Sequence, residues 1–334
     1  MDREQDEMQF LGLLDIYVDS YKVLFSWRKL FSKITLALIL PLSFIFLAHM
    51  EISDLLFKDI IVDGNQLVNT QPGSPSNQKL SSMVLADWTY YLLFNLAYWM
   101  LYFVLSLIST AAVVYTIACI YTSKEVSFRQ VLSVVPKVWK RLMVTFFCMF
   151  IFHFLYIMVS AIVILAWGFL VEPNNVRIGG LIVLLGVYVV GFVYLNIIWQ
   201  LASVVSVLED ACGVKAMVKS RALIKGKMWV VSGIFFMLKV SFLGIYWAFN
   251  VLVVYGVSSS GILARVCIGF VCLLLLSKLV LFGLVINTIT YLVCKSYHHE
   301  NIDKSALSGH LEVYLGEYVP LKSKDVQLEN YAYV

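Results

Sequence analysis

Between residues 34 and 294 the chain carries six apolar runs, at about 34–50, 90–121, 142–171, 178–208, 229–257 and 262–294. All reach or exceed the roughly 17–25 residues that cross a bilayer. In hydrocarbon every backbone N–H and C=O must be satisfied within the segment, so runs of this length fold as helices. The fold expected is therefore all-α: a polytopic membrane protein with six transmembrane helices. At 61% hydrophobic and 14% charged, the composition lies well outside that of soluble domains, which average about 45–50% apolar and about 25% charged.

The cations order these runs. Arg3, Lys22, Arg28, Lys29 and Lys33 precede the first span, and Lys124, Arg129, Lys137, Lys140 and Arg141 follow the second. Lys215, Lys219, Arg221, Lys225 and Lys227 follow the fourth, and Lys295, Lys304, Lys322 and Lys324 follow the sixth. The opposite loops hold Lys58 and Lys79, then Arg177, then none. Positively charged short loops stay in the cytoplasm, so six spans with both termini cytoplasmic are expected. Residues 1–33 then form a cytoplasmic amphipathic segment, 34–294 the six-helix domain and 295–334 a cytoplasmic tail. The apolar run starts too late, with no small-residue cleavage pattern after it, for a cleaved signal peptide.

The connections sharpen the expectation. EPNNVR between spans three and four and SSSG between spans five and six are tight, which suits antiparallel hairpins. With spans one and two the set becomes three hairpins. Residues 51–88 are polar, contain NTQPGSPSNQ and read as a loop. Pro41 should kink the first span. Trp27, Trp139 and Trp229, each beside basic residues and ahead of an odd-numbered span, suggest a weak threefold repeat.

Two cytoplasmic segments show helical amphipathicity. Phe10, Leu13, Leu14, Tyr17, Tyr21, Leu24 and Phe25 share one face near the N-terminus, suited to the membrane surface or to the bundle. Further on, an apolar arc of Phe128, Val131, Leu132, Val134, Val135, Val138, Trp139 and Leu142 opposes Arg129, Gln130, Ser133, Lys137, Lys140 and Arg141. That pattern describes a basic interfacial helix, which Pro136 could divide. The membrane-surface candidates are thus Arg129, Lys137, Lys140, Arg141, Lys215, Lys219, Arg221, Lys225 and Lys227, with anionic lipid headgroups as partners. A net charge of +4, without an aromatic-interleaved basic groove, disfavours nucleic acid.

Following the fourth run, Glu209, Asp210, Gly213, Ala216, Ser220, Leu223, Gly226 and Trp229 resemble an acidic, Gly, Ala, Ser, Leu, Gly, Trp series. It occurs in the six-helix membrane domain attached to some glycerophosphodiester phosphodiesterases. Over nearly its full length, including SVVPKVWKRLMVTF and YLGEYVPLKSKD, the chain also resembles an uncharacterised plant family of six-span proteins. Both resemblances imply a six-helix membrane fold, and neither brings a catalytic residue to a position of this chain. In the residues' own terms, Gly213 can end a helix in a left-handed turn, and Glu209 and Asp210 can pair with Lys215, Lys219 or Arg221.

Inside the spans, Lys278 in LLLLSKLVLFG lies mid-membrane, where charge is costly and marks a candidate ligand site or polar contact between helices. Lys239, nearer an end, can snorkel. Asn95, Asn196, Gln200, Asn250 and Asn287 suit hydrogen bonds across helices, and His153 suits a satisfied bundle histidine. The six cysteines show no CxxC, and His298, His299 and Glu300 are adjacent on a tail, so neither a disulfide framework nor a metal or other cofactor is expected. HExxH, GxSxG, paired intramembrane aspartates and Walker-type loops do not occur.

Tyr318 and Leu321, in YVPL, fit the tyrosine-x-x-bulky pattern read by sorting adaptors. The expected function is non-enzymatic: a membrane scaffold, or a trafficking or lipid-organising component, of the endomembrane system or plasma membrane. Its tail would meet a cytoplasmic trafficking or scaffold protein. The alternative is a carrier or channel for a small anion or lipid that uses Lys278.

Overall fold

The computed structural model of the 334-residue chain describes residues 8–71, 73–122, 127–172, 174–256 and 261–298. Those residues form helices and connections with no strand. In chain order the helices are α1 (Leu13–Ser26), α2 (Arg28–Asn69), α3 (Pro75–Tyr121), α4 (Phe128–Leu170), α5 (Asn175–Leu208), α6 (Val214–Ile224), α7 (Met228–Val254) and α8 (Ile262–Tyr297). Six of them, α2, α3, α4, α5, α7 and α8, are long and apolar enough to cross a membrane. By length and composition this is an integral membrane protein.

The polar stretch 51–88, expected as a loop, is almost entirely helix. It is interrupted where Thr70 takes extended dihedrals and Gly73 has φ +86°. Polarity does not preclude a helix that continues past the apolar run. Asp54 and Lys58 pair at 2.5 Å one turn apart, and Phe57 packs its ring against Trp88 and Tyr91. The turn residues close the joint: the Asn77 amide N–H donates to Ser74 Oγ at 3.1 Å, and Asn77 Nδ2 donates to Thr70 Oγ1 at 3.1 Å.

Proline is absorbed rather than breaking helices. Upstream of Pro41, Thr35–Ile39 widens into a π-helical turn, in which the Leu40 N–H reaches back to Thr35 O. Pro136 lies within the uninterrupted α4, which Ser127 and Gln130 start as a capping box.

The chain divides into two compact units. The described residues of the first lie within 8–12, 111–228 and 287–298. Its described core is made by the C-terminal turns of α3 and α5, the N-terminal part of α4, one face of α6 and the last turns of α8. Every residue from Ala111 to Tyr121 and from Leu201 to Leu208 is buried. Against them lie Val131, Val134, Val135, Val138 and Leu142 of α4, also buried. The apolar arc of the expected interfacial helix is thus largely taken up by protein. Farther along, α4 and α5 leave large apolar side chains such as Phe150, Phe154, Leu185 and Val190 exposed, a surface suited to lipid. Asn174 caps α5, accepting from the Val176 and Arg177 amides, and Trp167 Nε1 donates to Arg177 O at 3.2 Å.

The second unit comprises residues 13–110 and 229–286. Leu47, Phe249, Val254, Cys272 and Leu276 form its apolar centre. Arg265 donates to Val253 O of the π-helical turn Asn250–Val254 and faces Glu51 at 3.5 Å. In α1 the buried residues are Ile16, Ser20 and Val23, whereas Leu14, Tyr21 and Phe25 of the expected apolar face are exposed.

Candidate functional site

The residues with the most concentrated polar chemistry in the first unit gather where α5 ends. The Glu209 N–H bonds back to Val205 O as the chain turns to extended dihedrals, and its side chain, 13% exposed, turns into the unit. Oε1 accepts from Tyr291 Oη at 2.5 Å and from Lys295 Nζ at 2.8 Å, both on α8. Oε2 accepts from Lys219 Nζ of α6 at 2.6 Å. Burial pushes the Glu209 carboxyl up, but the hydrogen bonds from Lys219, Lys295 and Tyr291 outweigh it and hold the group below its ordinary value.

The neighbouring backbone is fixed in the same way. Arg141 of α4 donates to Glu209 O and pairs with Asp210 at 2.9 Å. Thr145 Oγ1 and Ser206 Oγ share a hydrogen bond at 2.7 Å, and the Gly213 amide donates to Thr145 Oγ1 at 2.8 Å. Gly213 itself sits at φ +60° and ψ −132°, dihedrals that only glycine adopts without strain. A charged belt therefore ties α4, α5, α6 and α8 to one loop.

Each member of the Glu209–Gly226 series has a place here. Ala216 and Leu223 are buried against the core, Ser220 Oγ donates to Ile198 O at 2.9 Å, and Gly226, at φ +100°, passes directly beneath the Tyr297 ring. Both Glu209 oxygens are engaged by cations or hydroxyl. The arrangement thus suits fixing the loop between α5 and α6 and orienting α6, rather than abstracting a proton. No group of three or more His, Cys, Asp or Glu side chains suited to a metal occurs among the described residues.

The surface candidates separate into two sets. Arg141, Lys219 and Lys227 turn into protein contacts; Lys227 donates to Leu11 O at 3.1 Å and lies 5.5 Å from the Tyr297 ring centroid. Arg129, Lys137, Lys140, Lys215, Arg221 and Lys225 are exposed. On α6 the outer face carries Lys215 and Arg221 beside exposed Val214 and Val218. Lys278, midway along α8 in the second unit, is also exposed. Tyr318 and Leu321 of the sorting pattern lie outside the described residues.

Of the expected amides, Asn95 reaches across helices, meeting His49 Nε2 at 3.0 Å. Asn196 and Asn250 instead donate to carbonyls four residues earlier in their own helices. His153 is satisfied at Nδ1 by Met149 O, while its buried Nε2 has no hydrogen-bond partner among the described residues. The sequence offers Glu209 a lysine of the following segment, as found at Lys219, but does not point to Tyr291 and Lys295. Those two are 82 and 86 residues away; their i, i+4 spacing at the end of an apolar run was the available signal.

No curated protein and no solved structure matches the chain. A family model does, over residues 1–331. On that match, which takes in every residue of the Glu209 belt, the chain belongs to the family described as the domain of unknown function DUF8558.

Proposed function

We propose that the protein is a non-enzymatic membrane component that organises anionic lipid at the cytoplasmic face of the endomembrane system or plasma membrane. Its tail, through Tyr318 and Leu321, engages a trafficking or scaffold partner. The observation that supports this reading is the outer face of α6. Val214 and Val218 stand exposed beside Lys215 and Arg221, while the opposite face, Ala216, Ser220, Leu223 and Ile224, is buried. A helix with its inner side anchored and its outer side both apolar and basic is suited to the headgroup boundary, where each cation near an anionic surface contributes about 1 kcal/mol. The Glu209–Lys219 pair fixes the rotation of α6 about its axis.

The test is the triple variant Lys215→Gln/Arg221→Gln/Lys225→Gln, reconstituted in nanodiscs containing phosphatidylserine and compared with the wild type by native mass spectrometry. The proposal expects fewer retained anionic lipids in the variant at unchanged thermal stability. Equal retention removes α6 as a lipid-binding surface. Relocation of a Tyr318→Ala/Leu321→Ala variant in cells is the corresponding expectation for the tail, and unchanged localisation removes the sorting role.

A further inference from the structure

Within the second unit α2, α3, α7 and α8 line a partly open cavity of about 80 Å³. Its apolar wall includes Leu42 and Phe46 from α2, the Tyr102 ring from α3, Phe242 from α7, and Leu276 and Val280 from α8. A single water needs roughly 10–15 Å³ of such space, so the volume is several times what one water fills. Phe46, Phe242, Val280 and Leu284 are only half-buried, which places the cavity close to the lipid-facing surface of the unit.

The polar part of the wall carries two hydroxyls that lack the usual partner. Buried helical hydroxyls normally bond back to a carbonyl one turn earlier. In this protein Thr110 bonds to Ser106 O at 2.8 Å, Thr116 to Ala112 O at 2.7 Å and Ser277 to Leu273 O at 2.8 Å. Ser43 and Ser109 line the cavity from α2 and α3, are each 1% exposed, and have hydroxyl oxygens with no hydrogen-bond partner among the described residues. A buried hydroxyl left without a partner is destabilising, because its lost hydration is not replaced. Two of them on one apolar cavity are explained if an occupant supplies the partner, since rotation about a single χ1 bond turns a serine hydroxyl onto it.

The wall also defines the charge of that occupant. Among the described residues, no Lys, Arg, Asp, Glu or His lines the cavity. Lys239 lies 6.0 Å from the Phe242 ring centroid and is not part of the wall. A carboxylate or phosphate would be desolvated there without a counter-charge, whereas an uncharged oxygen would not. We propose that this cavity binds the oxygen-bearing end of a neutral amphiphile, an alcohol on a hydrocarbon skeleton, with Ser43 and Ser109 as its hydrogen-bond partners. The rest of the hydrocarbon continues into the bilayer. A membrane sterol and a straight-chain lipid alcohol share this chemistry. The site is separate from the basic face of α6, so either proposal can fail alone.

The experiment uses the full-length protein in nanodiscs with four probes, each carrying a photoactivatable diazirine: hexadecanol, a sterol, hexadecane and palmitate. Labelled peptides are mapped by mass spectrometry. The expected result is capture of an alcohol probe in peptides covering 42–46, 102–110 and 276–284, in excess over hexadecane and palmitate. Which alcohol is captured better assigns the skeleton. Ser43→Ala/Ser109→Ala is expected to reduce capture about tenfold, because two neutral hydrogen bonds are lost, while thermal stability without added alcohol stays at or above that of the wild type. Leu276→Trp, which fills the space, is expected to abolish capture. Equal capture of hexadecane or palmitate, labelling spread over exposed faces such as Phe150 and Leu185, or capture indifferent to both variants overturns the proposal.

Discussion

Glu209 Oε2 accepts a hydrogen bond from Lys219 Nζ at 2.6 Å, joining the residue that ends α5 to the middle of α6. Because Oε1 is held at the same time by Tyr291 and Lys295 of α8, this carboxylate sets the position of a third helix as well. Removing one member of a mostly buried charged cluster leaves the others uncompensated and costs about 3–5 kcal/mol. Glu209→Ala is therefore expected to lower stability by about 3 kcal/mol, read as a fall in thermal unfolding temperature in detergent. Tyr291→Phe, which removes one hydroxyl donor, should cost about 1 kcal/mol. Equal, small effects for both variants would mean that the belt is solvated and weak.

The same carboxylate gives a pH dependence. Its folded-state pKa lies below the ordinary value of 4.5, so the folded state favours the ionised form. The stabilisation is present in full above the unfolded-state pKa and disappears as pH falls through the depressed folded-state value. Amide exchange in 209–224 should be unchanged between pH 7 and about 5 after correction for intrinsic rates, and faster below about pH 4. Glu209→Gln should flatten that profile.

Gly226, at φ +100°, would place a Cβ 2.5 Å from Tyr297 Cε1. Gly226→Ala thus meets both backbone strain, about 1–3 kcal/mol, and a ring that already contacts Lys227 and His298. Adding Tyr297→Ala to Gly226→Ala should recover the steric part and leave the strain. At Gly213, φ +60°, a Cβ would stand 3.3 Å from Cys148 Sγ and Val144 Cγ1. Gly213→Ala should cost a similar backbone amount, and truncating Val144 should relieve less of it. Circular-dichroism melts of the four proteins separate the two contributions.

Lys278 is exposed in the middle of α8 and does not line the cavity, although Leu276 and Val280 on either side of it do. Lys278→Leu should leave alcohol capture in the cavity unchanged. It should hold or raise the unfolding temperature, since a mid-membrane lysine costs about 2.5–3.5 kcal/mol on insertion scales. A fall in either measurement would give Lys278 a partner role.

Much of the architecture is legible in the chain because lipid imposes one rule, that apolar runs of sufficient length become helices. That rule locates the six long helices but not their ends. The extensions of α2 and α3 beyond the apolar runs depend on contacts such as Phe57 with Trp88, between residues 31 positions apart in sequence. Periodicity likewise gives the start of α4 one apolar side without saying what that side would meet. Val131, Val134 and Val138 are buried in the first unit, because a stripe that could face lipid is equally suited to a neighbouring helix.

The sequence by itself determined the solvent of this protein, its helical class and the number of long apolar helices, since these follow from local composition and from the cost of unpaired backbone in hydrocarbon. Tertiary structure alone decided that Arg141, Lys219 and Lys227 turn inward while Lys215, Arg221 and Lys225 face out. It alone brought Tyr291 and Lys295 to Glu209, and Ser43 and Ser109 to one cavity. The physical reason is that a side chain's partner depends on which helix faces ordering brings within about 3 Å of each other. Spacing along the chain does not encode that proximity.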